Sequence, residues 1–276
     1  MKSSALFCWL LGLVLLVGCG PKAKSQPITI PVNQDSFIEI NPDLKVRHIQ
    51  EGAFEFVHTF PWEANSLAVL VGDHLVLVDT PYTPQATAEM LDWLEDQLGP
   101  KKTIAINAHF HLDNLGGNAA LVERGIPVYG STLTAQLLAE RGEAMLAQTV
   151  EWMRANQDPR YAQAFEEFKL VQPTELFDLE DGLEFVFGNE HVQVYYPGPA
   201  HSPDNVVVYF PERKLLFGGC MIIGWDAIGN TADADLGAWP DSVRALERFE
   251  FDILVPGHGD RLDPGLVEHT LKLLGE

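Results

Sequence analysis

The chain has 276 residues, 46% of them hydrophobic and 10% aromatic, which is ample apolar material for a core and excludes an intrinsically disordered protein. Its 18 Lys and Arg against 39 Asp and Glu leave a formal charge of −21. That balance excludes nucleic acid as a partner and opposes long-range capture of anionic substrates.

The N-terminus opens on Met1 and Lys2, followed by an apolar run over residues 5–17 with the charge, length and small-residue ending of an export signal. The run is too short to span a bilayer comfortably. Leu16, Val17, Gly18 and Cys19 resemble a bacterial lipobox, so residues 1–18 are expected to be cleaved and Cys19 to carry lipid. Ordinary signal cleavage beside an incidental cysteine is the alternative. Residues 20–27, GPKAKSQP, read as a flexible tether, and 19–42 together as tether and irregular N-terminus. Gly20 behind the cysteine, where a retention signal would place Asp, implies by its resemblance to sorting signals a periplasmic protein anchored in the outer membrane. Cys8 leaves with the signal and Cys19 is taken by lipid. Cys220 is then the remaining thiol, and no intrachain disulfide forms.

From residue 43 to 276 the pattern is that of one folded domain. Strands are expected at 44–49, 53–58, 66–71 and 74–79, where the alternation in FEFVH and SLAVLV, broken at Gly72-Asp73, reads as a β-meander with one buried face. Between them, HTFPWEAN over 58–65 forms a hairpin tip or flap. Its Phe60 and Trp62 either contact substrate or tuck into the core. Residues 83–98 carry apolar positions at helical spacing and stop at Gly99-Pro100. A strand at 103–108, a helix at 118–124 and a strand at 127–129 follow. Residues 132–169 are helical by composition, broken at Asp158-Pro159, with a packing stripe of Leu138, Met145, Val150, Trp152, Met153, Phe165 and Phe168. A second β-rich half begins at Glu175 with strands at 183–188, 191–196, 205–210 and 214–218. The chain closes with a helix at 240–249, a strand at 251–255 and a helix at 264–274. No linker separates the halves, so the fold class is α/β: an αββα sandwich of two mixed sheets with helices on the outer faces.

The chemistry centres on residues 109–118, HFHLDNLGGN. Alternating His109, His111 and Asp113 after a strand can aim three metal-binding groups into one cleft, with Gly116 and Gly117 expected to let the backbone turn behind them. Four more residues follow apolar runs in Gly- or Pro-flanked loops: Asp79 in LVLVDTP, His201 in YYPGPAHSPDN, Cys220 in LLFGGCM and His258 in LVPGHGD. Such a set is hard to explain as structural histidines alone. The other histidines (His48, His58, His74, His191 and His269) lack this context and are given no metal role.

These stretches resemble the metallo-β-lactamase superfamily, and within it subclass B1. GPAHSPDNVVVYFPERKLLFGGCMI, AWPDS and the long helical insertion at 132–169 are similar to the SPM type. The resemblance implies two zinc ions, one held by His109, His111 and His201, the other by Asp113, Cys220 and His258. Three neutral imidazoles would leave a Lewis-acidic zinc with an open position, and the thiolate site would hold a departing nitrogen. It further implies that Asp113 is catalytic as well as ligating, that Asp79 bonds and orients the metal loop, and that Asn230, in IGNTADAD, donates to the substrate carbonyl. A simple turn role after Gly229 is the alternative for Asn230. Many related thioesterases and lactonases carry His at the position of Asn114 and a bridging Asp at that of Cys220, so this pair of residues favours B1.

One position departs from the B1 pattern. Where most of these enzymes have a lysine three residues after the cysteine, this chain has Ile223, and Met221, Ile222, Trp225 and Asp226 bring no cation. A charge-assisted pair of that kind contributes about 1.5–3 kcal/mol. The zinc ions themselves or an arginine from elsewhere could take its place; Arg261, in the loop after His258, is the candidate to test, with a solvated surface role as its alternative. Phe60, Trp62, Ile223 and Asn230 are the expected substrate contacts. The resemblance thus implies a monomeric zinc enzyme that opens β-lactams (penicillins, cephalosporins, carbapenems) by a metal-bound hydroxide, giving antibiotic resistance. A hydrolase of another ester, lactone or amide, and a non-catalytic zinc-binding lipoprotein, are the alternatives.

Overall fold

A computed structural model of the protein describes residues 30–167 and 169–276. The expected signal segment, Cys19, the whole tether at 20–27 and Phe168 lie outside the described residues. No helix among the described residues is long and apolar enough to cross a membrane.

The first sheet has eight strands in chain order. Strands β1 (Ile38–Asn41), β2 (Leu44–Gln50), β3 (Ala53–Thr59), β4 (Glu63–Val71) and β5 (His74–Val78) form the expected antiparallel meander. Helix α1 (Pro84–Leu98) then crosses over to β6 (Lys102–Ile106), which pairs parallel with β5. Thr83 starts this helix by accepting the Ala86 N–H at 3.2 Å, with Pro84 preset for the first turn. Its buried stripe of Met90, Leu91 and Leu94 faces the sheet. The short helices α2 (Leu112–Leu115) and α3 (Asn118–Glu123) lead to β7 (Val128–Ser131). The insertion forms α4 (Thr132–Asn156) and α5 (Pro159–Glu167), broken where Pro159 was expected to break it, and returns to β8 (Glu175–Phe177), parallel to β7.

The second sheet runs β13-β12-β11-β10-β9, built from β9 (Leu183–Phe187), β10 (Glu190–Tyr195), β11 (Val207–Phe210), β12 (Leu215–Ile223) and β13 (Ile253–His258). All its pairs are antiparallel except β12 with β13. Helices α6 (Trp239–Arg244), extended by a 3-10 turn at Ala245–Arg248, and α7 (Leu266–Leu273) cover its outer face.

Three apolar clusters make the four layers. Val69, Val76, Val78 and Ile106 of the first sheet meet Val192, Val194, Val208 and Phe217 of the second. Leu77, Phe56 and Ala105 pack under α1 and α3, and Leu216, Met221 and Leu254 under α6 and α7. Each such side chain contributes about 1.5–3 kcal/mol when fully buried. Fully buried Trp239 ties α6 to β12 by donating its indole N–H to the Met221 carbonyl at 2.8 Å. The two mixed sheets with helices outside are the expected αββα sandwich.

Four expectations need correction. The stretch up to Asn41 is not wholly irregular, because Ile38–Asn41 pairs with β2. Glu175 does not open the second half: its strand closes the first sheet by pairing with β7. The strand expected to stop at Gly218 continues to Ile223 and the one expected to stop at Val255 continues to His258, so Cys220 and His258 lie in strands and not in loops. Gly219, at φ +56°, absorbs an irregularity there, which lets the strand run on beside β13. Finally, Gly116 and Gly117 have ordinary helical φ, −58° and −86°. They are required for space, since a Cβ would lie 2.1 Å from the Tyr82 carbonyl oxygen or 1.9 Å from Thr87 Oγ1.

Candidate metal centre

The centre forms where the strand ends of both sheets meet. Asp79 follows β5 at φ +59° and is buried. Its carboxylate accepts the Ala108 N–H at 2.7 Å and the Asn114 side-chain amide. It thereby staples both ends of the segment carrying His109, His111 and Asp113. Burial pushes its pKa well up, against those two hydrogen bonds and with Asp113 and Asp204 adding to the rise.

The alternation in HFH sends Phe110 into an apolar cluster with Leu115, Leu137 and Leu138. The flanking histidines face each other, ring centroids 4.7 Å apart. His201, in the loop after β10, completes a trio of nearly edge-on rings, 5.4 Å from His109 and 5.0 Å from His111. Its loop is fixed by buried Asp204, which accepts hydroxyl hydrogen bonds from Ser202 at 2.6 Å and from Thr134 on α4 at 2.7 Å. Val206 N–H also donates to the Ala108 carbonyl at 2.9 Å, joining the two loops.

On the other side, parallel pairing of β12 and β13 brings Cys220 against His258. Cys220 Sγ lies 3.3 Å from Asp113 Oδ2 and 3.4 Å from His258 Nε2, and the last two atoms are 3.2 Å apart. A Cβ on Gly257 would sit 2.6 Å from that sulfur, so only glycine lets the strands approach this closely. The Glu63 carbonyl can only accept, so His258 Nδ1 carries the proton in their hydrogen bond, and Nε2 faces the centre. By the same logic His111 Nε2 donates to Asp233 Oδ2 at 3.0 Å, and its Nδ1 faces His201 Nε2 at 3.1 Å.

This arrangement fits a cation. Among the described residues, neither ring nitrogen of fully buried His109 has a hydrogen-bond partner. Three overlapping groups have ligand atoms within 4.8 Å of one another: His109, His111 and Asp113; His109, His201 and Cys220; Asp113, Cys220 and His258. Burial, aided by neighbouring imidazoles, lowers His109 and takes His201 down to about 3, so both rings are neutral, as ligation requires. Burial also acts on Asp113 and His258, but their mutual hydrogen bond and opposite charges outweigh it. Asp113 is held well below the usual carboxylate range and His258 above its ordinary value. Burial and the Asp113 and Asp79 carboxylates push the Cys220 thiol well up, a bias that a dication reverses.

The expected substrate contacts are less uniform. Phe60 stacks on His58 at 5.3 Å and meets Tyr161 of α5 edge-on at 4.6 Å, so it packs against the insertion. Trp62 is 39% exposed, its ring 4.9 Å from that of Trp152 on α4. Ile223 is only 6% exposed and packs among Met221, Trp239 and Leu266. Asn230 is exposed, its side-chain oxygen accepting the Ala232 N–H at 3.1 Å in a local turn. Arg261 pairs with Asp263 on the surface, and Asp226 is exposed.

Three residues at the centre were not singled out from sequence. Glu63 holds His258 by its carbonyl and Gly259 N–H by its carboxylate at 2.8 Å, and Asp204 fixes the His201 loop. Asp233 lies in IGNTADAD, the very stretch read for Asn230, where one of two aspartates in an acidic chain carries no signal of its own.

The Metallo-beta-lactamase superfamily model matches residues 59–258. The metallo-beta-lactamase type 2 of Pseudomonas aeruginosa is 33% identical over 239 residues, covering 83% of each chain. That of Bacillus cereus is 34% identical over 230 residues, covering 79% of this chain and 78% of its own. Among solved structures, a metallo-beta-lactamase from Pontibacter korlensis superposes with a TM-score of 0.70 at 32% identity, over 84% of this chain and 99% of that one. With ligand-type residues converging between two mixed sheets, these matches show that the chain is an enzyme belonging to the metallo-β-lactamase superfamily, as the likeness to subclass B1 implied.

Proposed function

We propose that the chain is a zinc-dependent β-lactamase binding two zinc ions, one on His109, His111 and His201 and one on Asp113, Cys220 and His258. The observation that carries this reading is the Cys220 thiol, 3.3 Å from Asp113 and 3.4 Å from His258, beside a buried His109 with both nitrogens unpartnered. Zinc bound there supplies a Lewis acid and a water of lowered pKa. The chain's own residues supply the rest. Asp113, kept ionised by His258, suits orienting a reacting group more than storing a proton. Asp79 keeps the ligand segment in register. Asn230, its oxygen held by Ala232, leaves its NH2 group to donate to a substrate carbonyl as charge develops there. Trp62 offers an apolar wall for the ring system.

The test is turnover by the zinc-loaded protein of a panel of penicillins, cephalosporins and carbapenems, set beside simple esters and lactones. Ring opening lost on chelation supports the reading. Two bound zincs without turnover of any β-lactam overturn it. One observation favours a second reading, hydrolysis of another ester, lactone or amide: position 223 is a buried isoleucine, so no lysine stands there to meet a carboxylate. Ester or lactone turnover alone would establish it. A non-catalytic zinc-binding role has less support, because a zinc held by three histidines would keep an open position that storage does not need.

We propose in addition that the enzyme works in the periplasm as a monomer held to the outer membrane by lipid on Cys19 and confers β-lactam resistance, supported by the LVGC stretch and Gly20. Incorporation of a labelled fatty acid that disappears in Cys19→Ser is the expected result, and unchanged labelling overturns the anchor.

A further inference from the structure

We propose that Arg141, on the inserted helix α4, is a positioning residue for the three-histidine metal site, acting through Asp233 on the ring of His111. This rests on the ligand partition given under the proposed function.

Asp233 divides its carboxylate between two partners. Oδ2 accepts from His111 Nε2 at 3.0 Å, and Oδ1 accepts from Arg141 Nη1 at 2.8 Å. A ligating imidazole is oriented by whatever its second nitrogen bonds, and that partner must itself be held. Asp233 sits on no helix or strand: its surroundings are turns, with Ala234 N–H on the Thr231 carbonyl and Asp235 N–H on the Ala200 carbonyl. The chain around it leaves the carboxylate free to rotate about its own side-chain bonds. A guanidinium on a rigid helix removes that freedom by taking the second oxygen.

The rest of α4 shows that the contact is part of a line. Ser131 starts the helix by accepting the Thr134 N–H at 2.9 Å. Thr134 bonds Asp204 in the His201 loop, and the ring of Trp152 meets that of Trp62, on the β3–β4 hairpin, at a tilt. At 100° per residue, Thr134, Arg141 and Trp152 fall on one stripe, spread along about 27 Å of helix. One face of the insertion therefore touches the His201 loop, the support of His111 and the flap in succession. Two of the three histidines are braced from the same helix. Among the described residues the Cys220 and His258 side has no such brace: it is held by β12, β13 and Glu63.

The test uses zinc and cobalt binding, not turnover, so its outcome is independent of which substrate the enzyme takes. Stepwise affinities come from competition with a chromophoric chelator. Cobalt reports the sites separately, because the thiolate charge-transfer band belongs to Cys220 and the ligand-field bands report both sites. Asp233→Ala is expected to weaken metal at the histidine site about 10- to 100-fold. Arg141→Ala is expected to weaken it about 3- to 5-fold, the scale of a partly exposed ion pair, with the charge-transfer titration unmoved. Arg141→Lys restores most of the loss. Arg141→Ala added to Asp233→Ala causes no further loss, since the arginine acts through the aspartate. Unchanged affinity in Arg141→Ala, equal losses at both sites alongside a fall in Tm, or additive losses in the double variant would each overturn the proposal. Tight site-selective binding without β-lactam turnover would leave it standing and sink only the functional reading.

Discussion

The two sides of the centre are built by different means. The Cys220 and His258 side rests on adjacent parallel strands, with Gly257 permitting backbone contact and the Glu63 carbonyl fixing the imidazole. The His111 and His201 side rests on loops, made rigid from outside by the Asp79 staple and by side chains of α4. Sheet geometry sets the first side to within the tolerance of a hydrogen-bond ladder. The second depends on individual polar contacts, each worth about 1 kcal/mol and each removable alone. Damage should therefore be abrupt on the strand side and graded on the loop side.

The largest effect is expected at Asp113, whose carboxylate reaches both sides. Asp113→Asn should lower hydrolysis by about two orders of magnitude or more, beyond the roughly 10- to 100-fold that losing an outer-shell partner of a ligand costs, read as kcat/KM with metal content measured in parallel. Retained activity with full metal content would show that the carboxylate is dispensable. Next comes a matched pair. Gly257→Ala forces a methyl into Cys220 and should cost about 1–3 kcal/mol of overpacking with loss of the thiolate charge-transfer band. Thr134→Val leaves buried Asp204 short of a donor and should cost about 1–3 kcal/mol while sparing that band. If both variants lose the band, the two sides are one mechanical unit and the contrast fails.

Ile223→Lys sharpens the contrast from another direction. The side chain packs beneath α7, and its backbone N–H donates to Thr270 Oγ1 at 3.0 Å. The lysine is expected to lower Tm without lowering KM for β-lactams, because burying an amine in that cluster is costly. A fall in KM with an unchanged Tm would mean that position 223 has a route to the cleft.

The smallest effects are in the pH dependence of stability, measured on metal-free protein. His58, beneath the flap, has its pKa lowered by burial to about 4. The unfolded chain takes up that proton first, so stability falls as pH drops from about 6.5 to 4. Glu55 behaves oppositely: burial raises it to about 7 in spite of Arg47, which also holds the Asp260 carbonyl beyond His258. The folded chain keeps that proton longer, so stability falls as pH rises from about 4.5 to 7. His58→Gln should flatten the acid slope and Glu55→Gln the other, each by no more than about 3 kcal/mol in stability measured by denaturant. Parallel slopes in both variants would refute the assignments.

Much of this centre could be read in the chain because ligands at strand ends leave local marks. HFHLD carries the period of two that puts both histidines on one side, and Gly or Pro flanks His201 and His258. Cys220 was misplaced because Gly218-Gly219 reads as a turn, whereas the parallel neighbour β13 keeps the strand going through them. The three-residue β8 is too short to show periodicity, and its partner β7 lies across the whole insertion. The Arg141–Asp233 pair spans 92 residues and leaves no local mark at either end. Phe60 could have served cleft or core, and only the position of α5 decided between them. Short-range patterns marked the candidate ligands, while the braces around them depend on long-range packing.

The strand order of the first sheet bears on how the protein comes to exist at all. Each of its strands lies beside the one made just before it, so the sheet can grow as the chain emerges, with little loop closure to overcome. Asp79, His109, His111 and Asp113 are all set within that early part. His201, Cys220 and His258 belong to the part made last, and β13 must dock beside β12 before the last of the candidate ligands arrives. The six candidate ligands therefore come together only once the last strand has docked, and a chain truncated before residue 258 should fail to complete the centre.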